Sequence, residues 1–439
     1  MGVDQRLPLK SKILYSVGQL GVTVPTFFIS SYIYIFYAPL EGVKYLPAST
    51  VGAAFFLGTL IQAIANPPIG NWSDKLRSRF GRRRFFIITG FIPLTLFFSL
   101  IWFPLLHGLG TAILLFIYML GFNFFYAYVV LPYLALIPEI AVVSSDRVRL
   151  TTISAYFSII GIILASVIPI VMFSLNFTYS AVGLVMGLIT LLSFLTVFAS
   201  TKEPQNIDKA PTTFSLAHAF AQTFRNPTFS RYITAYLFFQ FGFYFFLSSL
   251  GYYVEDIVLP GNPDYKAFVG VFTLVAVIAA VGFSPLLVRY TDRKGEKKAF
   301  VLFTALLGVA MLLAFFVTPY RGFGNVYQMV LILVFAGLGL TSYFILPNAI
   351  ISEIIDEDET ITGYRREGIY FGVQGLLERV PSSLAGLVLG LWITNLFQPT
   401  HNTLFIRLLA VVGGVSILIT ALLFVFVPLK QDIKMGSRK

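Results

Sequence analysis

Glu378 and Arg379 stand side by side in FGVQGLLERVPSSLAG (residues 371–386), a stretch otherwise apolar, small or uncharged. A guanidinium presents a planar fork of donors that matches a carboxylate, sulfonate or phosphate. A carboxyl in apolar surroundings can exchange its charge for a proton. Other residues of interest are neutral and polar. Gln62 and Asn66 are four apart and share a helix face. Arg379 is the charged candidate for binding a substrate, and Glu378 is the candidate proton carrier. The alternative is that the neutral groups bond helix to helix and that Arg379 is structural, held by backbone carbonyls, Gln62 and Asn66.

What such groups can do depends on their solvent. The chain has 439 residues, 57% of them hydrophobic and 12% charged, a mean hydropathy of +0.82 and 46 phenylalanines. Soluble globular chains carry about 25% charged residues, so this composition belongs to an all-α polytopic membrane protein. Cysteine is absent, and His107, His218 and His401 are far apart in sequence. Thiol chemistry is thereby excluded, and neither a metal site nor a cofactor is expected.

A spanning helix needs about 20 apolar residues. Twelve stretches qualify: 13–37, 51–71, 85–106, 111–136, 151–173, 179–200, 231–250, 267–288, 299–318, 326–349, 367–394 and 403–428. With both termini inside, the inner segments hold 26 Lys and Arg and the outer loops hold 3, Lys44, Lys266 and Arg321. That bias sets orientation. It also accounts for the net charge of +11 without nucleic acid as a partner. Arg379, thirteen residues past Arg366, would lie about 20 Å into a continuous helix. A cation that deep needs a partner or water. Its neighbour Glu378 would point about 100° away on such a helix.

Two six-span halves follow one plan. GNWSDKLRSRFGRRRF after the second span is echoed by VRYTDRKGEKKAF after the eighth. LPYLALIPEI at the end of the fourth is echoed by LPNAIISEII at the end of the tenth. The expected division is 1–200 and 231–439 as six-helix bundles, with 201–230 as a linker that contains an amphipathic piece, FSLAHAFAQTF. Parallel repeats of this kind are the plan of major facilitator transporters, with a substrate site near mid-membrane. In the second loop, Asp74, Arg77, Gly81 and Arg82 are candidate gating residues, with Gly81 allowing a tight turn. Asp292 and Arg293 are their weaker copy. The plainer reading of both loops is a basic segment that holds topology.

PPIGNWSDKLRSRFGRRRFFIITG, LPYLALIPEIAVVSSDRVRLTT, RNPTFSRYI and EIIDEDETITGYRREGIYFGVQGLLERV resemble stretches of the glycoside–pentoside–hexuronide:cation symporters, the family of melibiose permeases and lysolipid symporters. The first also resembles the loop of sucrose-type transporters. The resemblance implies a twelve-helix major facilitator fold and solute transport by alternating access. It also implies positions where this chain departs. The two sodium-binding carboxylates of melibiose-type members fall on Gln62 and Asn66, a third acid on Val130, a sugar-holding acid on Thr23, a Trp on Leu134, and a Lys on Arg379. A proton is therefore expected as coupling ion rather than sodium. A polar family position falls on Gln374, and Tyr126 lies one turn before Val130, so the resemblance implies Thr23, Gln62, Asn66, Tyr126, Gln374 and Arg379 as the candidate substrate-binding set. The expected cargo is a sugar or glycoside, with uronate or sulfonate suiting Arg379, and a lysolipid-like amphiphile is the alternative. No Walker A loop is present. A polytopic membrane enzyme would need a convergent catalytic group, and the dense acidic run EIIDEDET is better placed to pair with basic loops. The chain is expected to work as a monomer in the bilayer.

Overall fold

The structure is a computed structural model that describes residues 7–429 except 77, 142, 202–222, 319–323 and 364–366. The expected linker helix falls on residues outside the described ones, apart from its last two. Among the described residues, eleven helices are long and apolar enough to cross a membrane. A shorter apolar helix, Arg84–Leu100, stands third in order and brings the spans to the expected twelve. The described residues include no strand.

The chain divides into two compact units, Met1–Thr213 and Phe214–Lys439. Within the first, the second span (Ala48–Ser73) packs on the fourth (Leu109–Ala135). The first (Leu9–Tyr37) packs on the fifth (Arg149–Ser174) and the sixth (Tyr179–Ser200), and the third on the fourth and sixth. Within the second, the eighth span (Tyr265–Lys294) packs on the tenth (Gly324–Thr362). The seventh (Pro227–Val258) packs on the eleventh (Ile369–Thr400) and the twelfth (Thr403–Val425), and the ninth (Glu296–Ala314) on the tenth and twelfth. Each pairing in the first unit has its counterpart six spans later, so the motif echo reflects a repeated packing scheme.

Small residues set the closest approaches, as expected where dispersion rather than hydrophobic exclusion joins helices. A Cβ on Gly339 would lie 2.5 Å from both Leu307 N and Phe303 O, which are backbone atoms of the ninth span. A Cβ on Gly242 would lie 2.8 Å from Gly413 O in the twelfth.

Several elements run past, or stop short of, their apolar stretches. The tenth helix has 39 residues and continues to Thr362, carrying Glu353, Asp356, Glu357, Asp358 and Glu359 on helix rather than loop. At 1.5 Å per residue it is about 58 Å long, well beyond a hydrocarbon core of about 30 Å. Hydropathy reports where the membrane ends, whereas backbone hydrogen bonding continues into water. The third helix stops early, at Leu100, where the chain tightens through Trp102 N–H to Ser99 O and Phe103 N–H to Leu100 O before Pro104. The seventh begins at Pro227, with Asn226 Oδ1 accepting from Thr228 N–H at 2.9 Å and Phe229 N–H at 3.2 Å. This is an N-cap followed by proline at the first helical position.

A polar ladder at a broken eleventh span

The eleventh span is two helices, Glu367–Leu377 and Arg379–Trp392, with Glu378 as the turn between them. The expectation of one continuous helix is corrected here, and Pro381 supplies the reason. Proline has no N–H for the carbonyl four residues back, Leu377 O, so the ladder is interrupted at that point. Glu378 N–H still reaches Gln374 O at 2.9 Å. Arg379 consequently opens the second helix of the span, in the middle of Ile369–Thr400.

Facing this break is a row of polar side chains on the seventh span, Tyr232, Tyr236, Gln240 and Tyr244, each one turn after the last. Tyr232 donates to Gln374 Oε1 at 3.3 Å and lies 3.3 Å from Pro347 O of the tenth span. Tyr236 O–H and Gln240 Nε2 both donate to Glu378 Oε2 at 3.4 Å. Tyr244 and, on the tenth span, Tyr343 both interact electrostatically with Arg379. Glu378 and Arg379 also interact with each other. Glu378 keeps helical dihedrals, φ −65° and ψ −17°, so the two charges are close neighbours along the chain, each within the field of the other. Around them lie the buried apolar side chains of this unit, among them Phe239, Phe300, Leu346, Ile350 and Phe424.

Sequence reasoning had singled out Gln374, Glu378 and Arg379, and the structure brings these three together. It missed Tyr236 and Gln240. The signal was present, since YITAYLFFQFGFY repeats a polar or phenolic residue every four positions.

The remaining candidates lie in the first unit. Gln62 and Tyr126 are buried, while Thr23 and Asn66 are half-buried. Tyr126 O–H donates to Val22 O at 3.3 Å, and Thr23 packs where a Cβ on Gly161 would meet its own Cβ at 3.0 Å. The first and fifth spans also meet through Ser16 and Ser154 at 3.0 Å and through Ser158 donating to Gln19 Oε1 at 3.4 Å.

At the motif loops, Asp74 lies in the last turn of the second-span helix (Ala48–Lys75), and Arg77 is outside the described residues. Gly81 adopts φ +97°, the left-handed turn expected of it. Arg82 and Arg83 both bond the buried Glu139 of the fourth-span motif, Arg83 at 3.2 Å. Arg84 donates to Phe198 O at 2.7 Å and lies over the Phe198 ring. In the second copy, Asp292 and Arg293 sit on the eighth helix itself, which ends at Gly295 with φ +85°. A further ion pair lies outside the expected set. Lys12 Nζ meets Asp146 Oδ1 at 2.6 Å, and Leu7 N–H donates to Asp146 Oδ2 at 2.7 Å. These two bonds hold the Asp146 carboxyl below its usual range. Among the described residues, no His, Asp and Glu group is arranged to hold a metal.

Comparison with known proteins bears on the family and the fold. The family described as MFS/sugar transport protein matches residues 14–431. The uncharacterized symporter YnaJ of Bacillus subtilis (strain 168) is 24% identical over 95% of this chain and 91% of its own. A putative sulfoquinovose importer of Escherichia coli (strain K12) is 24% identical over 89% of this chain and 83% of its own. The crystal structure of a D-xylose-proton symporter shares the fold, with a TM-score of 0.68 at 14% identity over 96% of this chain and 98% of that one. The span pairing, the repeated motifs and the near-complete family match agree: this chain is a multi-pass integral membrane protein that belongs to the MFS/sugar transport protein family.

Proposed function

We propose that the protein is a proton-coupled symporter of a sugar bearing an acidic group, working by alternating access with both termini inside. The observation that carries this reading is the pair Glu378 and Arg379 at a helix break, backed by neutral polar side chains of the seventh and tenth spans. While Glu378 is ionised it neutralises Arg379. Once Glu378 takes a proton, Arg379 loses that compensating charge and attracts the anionic group of a substrate. Proton and anion binding then favour each other, a reciprocal coupling as linkage requires. Proton plus anion also adds no net charge to an apolar region, where isolated charges are costly. A relative over most of the chain is named a putative sulfoquinovose importer, and sulfoquinovose is a sulfonated sugar.

In the same reading Thr23, Gln62, Asn66, Tyr126 and Gln374 meet sugar hydroxyls as opening exposes them. Asp74, Arg77, Gly81, Arg82, Asp292 and Arg293 serve the gate, with the bond from Arg82 to Glu139 as one clasp of it. The test is uptake by proteoliposomes loaded with a pH-sensitive dye. External sulfoquinovose should acidify the lumen and accumulate unmodified under an inward proton gradient. Arg379→Gln should lose a charge-assisted contact of ~1.5–3 kcal/mol, on the order of 10- to 100-fold in uptake at low substrate. Accumulation indifferent to the proton gradient, or equal loss of neutral and acidic sugars in Arg379→Gln, would reject the reading. Uptake of lysolipid in place of sugar would replace the cargo, and recovery of a chemically altered solute would indicate an enzyme.

A further inference from the structure

Gln240 is 2% exposed, and its Oε1 has no hydrogen-bond partner among the described residues. Its other terminal atom, Nε2, donates to Glu378 Oε2 at 3.4 Å. Charge-assisted N–H···O bonds ordinarily close to about 2.7–2.9 Å, and Tyr236 O–H to the same oxygen is equally long at 3.4 Å. The ionised carboxylate is therefore loosely held by neutral donors, while a buried carbonyl beside it lacks the donor that would satisfy it. A buried acceptor without a donor is costly. Nearby hydroxyls have other partners: Tyr236 bonds Glu378 itself, and Tyr232 is directed to Gln374 and Pro347.

One added proton satisfies both groups. We infer that Gln240 is the positioning residue that stabilises the protonated form of Glu378, by closing an acid–amide ring with it. In that ring the new O–H of the carboxyl, on Glu378 Oε1, donates to Gln240 Oε1, while Gln240 Nε2 continues to donate to Glu378 Oε2. No other bond breaks. The terminal torsions of both side chains are soft enough to bring the two planes together. Turning the amide over does not replace the ring, because a carbonyl facing the carboxyl would still require its proton and the NH₂ would be left over. The titratable or charged groups that interact with Glu378 are Tyr232, Tyr236 and Tyr244 on the seventh span, Tyr343 on the tenth, and Arg379 next to it. The tyrosines are neutral donors near physiological pH, which leaves Arg379 as the charge that opposes protonation and Gln240 as the group that rewards it. This inference rests on Glu378 being the proton carrier of the proposed symport.

The experiment is pH-titrated infrared difference spectroscopy of the purified full-length protein, read in the carboxylic-acid carbonyl region without substrate. Wild type should show a titrating acid band that Glu378→Gln removes. In Gln240→Leu and in the shorter Gln240→Asn the band should move to higher wavenumber, because the acid loses its ring partner, and the titration midpoint should shift. The exchanged pair Gln240→Glu with Glu378→Gln should restore a low-wavenumber acid band, now on the seventh span. Gel filtration identifies which variants fold, and any one folded Gln240 variant suffices. A band and midpoint unchanged by Gln240→Leu or Gln240→Asn would overturn the ring while leaving proton symport standing. Absence of any band dependent on Glu378 in wild type would overturn the ring together with the assignment of Glu378. A band that behaves as described in a protein whose uptake ignores the proton gradient would support the ring and reject the coupling.

Discussion

Asp146 illustrates how much one side chain's partners decide. It precedes the fifth span and is bonded by Lys12 of the first span and by Leu7 N–H, and its carboxyl is held below its usual range by the Lys12 bond first and the backbone bond second. A depressed folded value means that its stabilisation is fully present above the unfolded carboxylate value, about 3.9, and is lost as pH falls through the folded value. The stability gap between wild type and Asp146→Asn should therefore be flat across neutral and mildly acidic pH and close only below that range. Thermal unfolding of both proteins across pH checks it. Removing Glu139 should leave Arg82 and Arg83 without a shared acceptor, so Glu139→Gln should unfold at lower temperature than wild type by the same assay. Neither contact was legible beforehand in its particulars. The charges of Lys12 and Asp146 can be read from the chain, but their meeting depends on how the first and fifth spans pack, 134 residues apart.

Among the elements, the eleventh span departs most from its reading. Its apolar extent was legible and its interruption was not, because a hydropathy window averages over the ladder bond that Pro381 removes from the Leu377 carbonyl. The helix contacts also make a matched prediction. Gly339→Ala would force a Cβ onto backbone atoms of the ninth span, which cannot yield as a side-chain tip can. Overpacking of this kind costs about 1–3 kcal/mol. Gly372→Ala, with nothing within 4 Å of the added carbon, should be neutral to stabilising by up to about 1 kcal/mol, the helix-propensity difference. Melting temperatures in one detergent should separate the two variants clearly; equal effects would mean that the ninth and tenth spans do not pack as described.

For the molecule as a whole, the repeated span pairing explains why two weak motif echoes were dependable guides: each marks the same place in a packing scheme used twice. The charge bias predicts that reporters fused to either terminus are inside and that one placed beside Lys266 is outside, which accessibility labelling of the fusions would check. Composition determined that this chain lives in a membrane, since no other solvent accommodates so much apolar surface and so few charges, and the spacing of its apolar runs determined about twelve crossings. Its residue types likewise singled out Glu378 and Arg379 as the costly groups worth explaining. Only the tertiary structure decided what those groups meet. A proline interrupts the helical ladder at Glu378, and the seventh span, some 140 residues earlier in the chain, brings Tyr236 and Gln240 to that point. Burial cost is a property of one residue and can be read locally. Hydrogen-bond partnership belongs to two helices at once, and their register is set only when they pack.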